Sequence, residues 1–282
     1  MDKIDKILDR ALLSEIILFY GSFLNFANKS EIVAKKITNF FIKYKNTHTF
    51  LIPTFTDAYL YRTNKKLFFN KNKKSKNGFF ANYIIKSKIG IRSSHPTNSF
   101  YFIGNKAKTF SLMQTYKSSP FEILFKLNIK KLSFISIDYQ STPSLHLSEY
   151  LTGVSKKNLL KNLIGSYYKE NSRLKWYVLK DIHGCDKGYT KHFNFYRKKK
   201  LIKTIKINHS NIYYGMLNNL LVHDIKKLTK NNSSFLCNLK NCKFCKITSK
   251  TNKNIIFHVF NNCSIILKLF FEVFFKNKKL RN

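Results

Sequence analysis

Two short, almost wholly apolar runs, Ile16 to Tyr20 and Leu132 to Ile137, do most to limit what this chain can fold into. Each is too short for a buried helix and lacks the alternation of a half-solvated strand. Both therefore predict strands covered on both faces. After the first run, Ser30 starts a helix to about Tyr44, with Ile32, Val33, Ile37, Phe40, Phe41 and Tyr44 on one face. Thr49 to Phe55 follows as a second strand. This β–α–β order predicts an α/β fold, a central largely parallel or mixed sheet flanked by helices on both faces.

The rest of the chain fills in around that unit. Asp2 to Leu13 reads as a short helix, Phe79 to Lys86 as another, Ser99 to Ile103 as a strand and Asn105 to Met113 as a helix. Ser119-Pro120-Phe121-Glu122 is a helix start, with Ser capping, Pro in the first turn and Glu122 completing a capping box. Further on, Leu174 to Leu179, Phe193 to Tyr196 and Ile202 to Ile207 read as strands, Tyr213 to Leu228 as a helix, and Ile265 to Phe275 as a terminal amphipathic helix docked on the core. There is no internal repeat and no clear linker. One domain over residues 1–282 is expected, with 1–155 as its core and 156–282 as an extension that closes over the site.

Fifty-two Lys and Arg against 14 acids give a formal charge of +38, the signature of a nucleic-acid or anionic-membrane partner. The lysines are spread along the whole chain, however, and accompany many Asn, Ile, Phe and Tyr residues, all with A/T-rich codons. Compositional drift explains such a bias without a binding face, so the retained acids carry more information than the bases. Asp57, Asp138 and Glu149 gain weight on that account. A nucleic-acid-binding protein with 27 Phe and 16 Tyr for stacking is the competing reading. Against it, the aromatics fall in core-like runs and no binding motif is visible.

Met1 to Arg10 is charged and helical, unlike a secretory leader, and no run reaches the ~18 apolar residues of a membrane span. A cytoplasmic protein with reduced thiols is expected from five cysteines, an odd number. Cys237, Cys242 and Cys245 have spacing usable for zinc, with His223 or Cys263 as a fourth ligand, but a second Cys-x-x-Cys pair is missing. The expectation is a chain without a metal.

Three segments carry the chemistry: Pro53-Thr54-Phe55-Thr56, then Arg92-Ser93-Ser94-His95-Pro96-Thr97-Asn98-Ser99 with Gly104 beyond it, then Thr142-Pro143-Ser144-Leu145-His146-Leu147-Ser148-Glu149. In this order, with Ser119-Pro120 between the last two, they resemble the aminoglycoside 3-N-acetyltransferase family over residues 14 to 152. Departures are Tyr20-Gly21-Ser22 where the family usually has His-Ser-Ser, Ser141 in place of Asn, and Pro143. The Tyr20-Gly21 departure also motivates a third reading, a member that keeps the fold without turnover.

The resemblance implies an antibiotic N-acetyltransferase fold and transfer of an acetyl group from acetyl-CoA to an amine of an amino sugar or aminoglycoside. The partners it implies are small molecules, with no specific nucleic acid and no metal; a homodimer is a possible assembly. It makes His146 the general base, a role suited to imidazole because that ring exchanges protons near neutral pH. Glu149, three residues on, either orients the imidazole or binds the substrate amine. Asp57 is assigned to amino-sugar recognition. Arg92, Ser93, Ser94, Ser99 and Ser22 are the candidates for coenzyme A, since a Ser-rich turn with one Arg suits phosphates. His95 is expected to stabilise its turn, and Gly104 to permit close approach of the pantetheine arm or of another strand.

Overall fold

The computed structural model describes residues 2–60, 68–117, 121–140, 143–153, 164–179, 186–207 and 209–231, together with Cys237, Cys242 and Cys245. Its centre is a seven-stranded sheet in the order β4-β5-β2-β1-β6-β10-β9. These strands are β1 (Ile16–Gly21), β2 (Thr49–Pro53), β4 (Ile91–Arg92), β5 (Phe100–Gly104), β6 (Leu132–Ile137), β9 (Lys203–Ile207) and β10 (Ser210–Met216). β1 runs parallel to both β2 and β6, whereas β5 and β10 are antiparallel to their neighbours. The sheet is mixed, with its parallel part formed by β2, β1 and β6 in that order.

Alternation along these strands splits the core in two. Ile17, Phe19, Phe50, Ile52, Ile135 and Ile137 face one side, with α1 (Asp2–Ala11), α2 (Ser30–Tyr44) and α3 (Phe79–Ser87). Leu18, Tyr20, Leu51, Leu132 and Phe134 face the other, with α4 (Ala107–Met113), α5 (Glu122–Lys126), α6 (Pro143–Leu151), α7 (Asp186–Lys198) and α8 (Leu217–Lys230). Burial on both faces explains the unbroken apolar runs. A smaller antiparallel sheet of β3 (Tyr59–Leu60), β7 (Ile164–Glu170) and β8 (Arg173–Val178) lies outside this sandwich in order β3-β7-β8.

Two expectations fail. Phe193 to Tyr196 is not a strand but part of α7, whose Tyr189, Phe193 and Tyr196 form a fully buried stripe. The spacing 189, 193, 196 is helical; a four-residue window hides it. The helix expected from Tyr213 begins only at Leu217, because Tyr213 to Met216 is the end of β10. In addition, β7 was not foreseen. From the part of the chain expected as an extension, β9 and β10 are strands of the seven-stranded sheet. Ser119-Pro120 and Ile265 to Phe275 lie outside the described residues. Among the described residues, no helix is long and apolar enough to cross a membrane.

Candidate active site

The carboxyl ends of β1, β2 and β6 point the same way, and the turn that enters antiparallel β5 returns to that end, pairing Phe100 with Pro53. Ser22, Thr54 to Asp57, the 93–99 turn and the start of α6 therefore converge on one rim. In an open α/β sheet this is where ligands bind.

The first and second segments of the motif set are partly each other's scaffold. Thr54 donates through its N–H at 2.9 Å and its Oγ1 at 3.0 Å to the Ser99 carbonyl. Thr56 does the same through its N–H to Thr97 (2.8 Å) and its Oγ1 to Pro96 (2.6 Å). His95 is fully buried; its Nδ1 accepts the Asn98 N–H at 3.0 Å, which leaves its proton on Nε2 to meet the Tyr177 hydroxyl of β8 at 3.2 Å. It closes its turn and ties the small sheet to it. Gly104, at φ 127°, lies where a Cβ would come within 2.0 Å of the His48 carbonyl, so its close approach is to another strand segment.

Arg92 is only 3% exposed. Its Nε donates to Ser99 Oγ at 3.0 Å, Nη1 to the carbonyls of Lys71 (3.1 Å) and Lys73, and Nη2 to the Thr54 carbonyl. Burial pulls its pKa down to about 10. The guanidinium, expected at a phosphate, here serves the protein's own backbone. The Ser99 hydroxyl joins it, donating to the Thr54 carbonyl at 2.9 Å and accepting from Arg92. Ser93 is fully buried, donates to Gln114 Oε1 at 2.6 Å and accepts the Phe100 N–H at 3.0 Å, so it too is internal. Ser22 and Ser94 remain half-buried at the rim, and Asp57 is exposed there. Asp138, left-handed at φ 51°, accepts the Asn211 N–H at 2.6 Å and the Asn25 side chain at 3.0 Å, fixing the turn after β6.

After that turn, α6 begins at Pro143, a position where a missing N–H does no harm. His146 and Glu149 share a helix face, with Nδ1 3.4 Å from Oε2. Sequence reasoning missed the third member. Tyr189 of α7 donates its hydroxyl proton to Glu149 Oε2 at 2.9 Å and lies 2.9 Å from His146 Nδ1. A phenol has one proton; given to Glu149, it leaves the oxygen to accept Nδ1–H, and the imidazole lone pair is then on Nε2. The buried aromatic stripe of α7 was the signal that could have found it. Glu149 is 3% exposed, so of its two expected roles the geometry matches the orienting one. His146 also stacks on Phe121 at 5.0 Å, Phe121 meets Phe55 at 6.1 Å, and Phe55 meets Phe100 at 5.6 Å. This aromatic row joins α6 to the Pro53–Thr56 segment and the 93–99 turn.

A model of the aminoglycoside 3-N-acetyltransferase family matches residues 45–228, well over half of the chain. The chain belongs to that family of acyltransferases. Solved structures agree on the fold. The aminoglycoside acetyltransferase AAC(3)-IVa apoenzyme superposes with a TM-score of 0.63 at 15% identity, covering 88% of this chain and 96% of its own. The YokD protein from Bacillus subtilis gives 0.63 at 16%, covering 82% and 94%. AAC-IIIb, solved in a binary complex with CoASH, gives 0.62 at 12%, covering 81% and 96%. No curated protein sequence matches the chain. Membership of an acyltransferase family disfavours the nucleic-acid reading. So does burial of the aromatics meant for stacking: Phe19, Phe41, Phe50, Phe100, Phe102, Phe121, Phe134 and Phe193 are among the largest wholly enclosed side chains.

Proposed function

We propose that this family member moves an acetyl group from acetyl-CoA to an amine of an amino sugar by direct transfer, with His146 as general base. The observation that carries the reading is the His146–Tyr189–Glu149 arrangement on the rim where the parallel strands end. Acetyl-CoA supplies the thioester carbonyl that the amine attacks and the thiol that leaves. His146 takes the amine proton on Nε2 as the nitrogen–carbon bond forms, then returns it to the departing sulfur. Glu149 and Tyr189 hold the ring and stabilise it while it carries the proton.

For the cofactor, Ser22 and Ser94 remain as hydroxyl donors, and the 71–76 loop adds cations. Arg92 fixes that loop through the Lys71 and Lys73 carbonyls, leaving the Lys71, Lys74 and Lys76 side chains exposed. Burial lowers the Lys73 pKa, and the nearby Arg92 charge adds to the effect against an opposing pull from Asp57. A phosphate beside it would relieve both, so the residues present fit the group. Asp57 offers the exposed rim its carboxylate for the acceptor's amine. A chain at +38 repels polycations, which favours an acceptor on an uncharged or anionic sugar. The reduced thiols fit a cytoplasmic setting.

Calorimetry with acetyl-CoA at near-physiological salt, with a short RNA as control, tests the reading. Saturable micromolar binding of the cofactor is expected. Absence of cofactor binding together with salt-resistant RNA binding would overturn it. A finer check is Tyr189→Phe, which keeps the ring and removes the hydroxyl. It is expected to lower kcat roughly 10-fold with KM unchanged and to displace the pH profile. An unaltered pH profile would mean that Tyr189 is only a packing residue.

A further inference from the structure

Beyond acyl transfer, we propose that Cys237, Cys242 and Cys245 hold a structural zinc ion. This departs from the metal-free expectation. Their three sulfurs lie within 4.8 Å of one another, although Cys237 and Cys242 are separated in sequence by four residues. Thiolates about 2.3 Å from a tetrahedral zinc sit about 3.8 Å apart, so a small contraction brings this set to metal-binding geometry. Cys237 and Cys245 are buried and Cys242 is half-buried.

One further feature favours a metal over chance clustering of small hydrophobes. The Cys237 N–H donates to Cys245 Sγ at 3.3 Å, the kind of outer contact that orients and steadies a ligating thiolate. A disulfide would leave one of three sulfurs over. An iron–sulfur cluster is normally held by four cysteines, whereas zinc accepts three thiolates with any nitrogen, sulfur or oxygen donor as the fourth ligand.

The position gives the ion a purpose. The cysteines follow α8, and α8 packs along α6, the helix that carries His146 and Glu149. Zinc would fasten the chain beyond α8 and so hold α8 against α6. It takes no part in the proposed transfer, and its test does not depend on activity.

Protein purified without chelator is analysed for metal by mass spectrometry. It is then alkylated in its native state, with and without prior treatment by a strong zinc chelator. The expected result is one zinc per chain, alkylation of Cys237, Cys242 and Cys245 suppressed until the chelator is added, and a lower Tm after zinc removal. Addition of Co(II) to the stripped protein should give intense thiolate-to-metal absorption, lost in Cys242→Ser. Absence of zinc combined with no thiolate band on Co(II) addition would overturn the proposal, as would alkylation of the three cysteines at rates that the chelator does not change. These readouts on the wild-type chain stand even if the variant does not fold.

Discussion

His146→Ala is expected to reduce kcat roughly 10²- to 10⁴-fold while acetyl-CoA binds as before. The separation of the two effects follows from the geometry. The ring is held from α6 and α7 by Glu149 and Tyr189 and packs against Phe121, whereas the groups proposed for the cofactor's phosphates come from the end of β1, the turn after β4 and the 71–76 loop. Steady-state rates with any accepted amine, beside calorimetric cofactor affinity, provide the measurement. Turnover equal to wild type would remove His146 as the base. Loss of cofactor binding along with turnover would mean that the ring helps to build the cofactor cleft.

Arg92→Ala should act on stability instead. Three backbone carbonyls and the Ser99 hydroxyl would each lose a donor at a largely buried site. A loss of about 3 kcal/mol is expected, or roughly 6–12 °C in Tm for a domain of this size. Arg92→Lys should fall nearly as far, because an ammonium cannot reproduce a planar fork reaching four acceptors. Thermal unfolding of the two variants decides between the roles. An unchanged Tm with a raised KM for acetyl-CoA would restore the phosphate-binding role that the residue's place in the motif suggests.

That contrast shows where the sequence was readable. Strands β1 and β6 were legible because burial on both faces leaves no charged residue and few polar ones to confuse the period, and α2 because its apolar stripe lasts four turns. The motif order led to His146 and Glu149, two residues so close in the chain that a single helical turn makes them neighbours. Arg92 and Ser93 were located, but their internal hydrogen bonds were not foreseen. A motif says which residues are needed together, not whether their donors face a ligand or the protein's own carbonyls. Tyr189 escaped notice for a different reason: it is 40 residues from Glu149 in sequence, and nothing local to it speaks of His146. Only the docking of α7 on the sheet face shared with α6 makes them partners.

The closing of the sheet has a consequence for how such a chain comes into being. β6 is enclosed along its whole length and is held by parallel β1 on one side and by β10, running antiparallel, on the other. While the chain emerges from a ribosome, β1 and β2 are available early, but β6 must wait for everything up to Met216 before its second neighbour exists. Through that interval the nascent protein carries a bare, apolar strand edge, a template for another chain. Fragments ending before β10 should therefore collect in inclusion bodies.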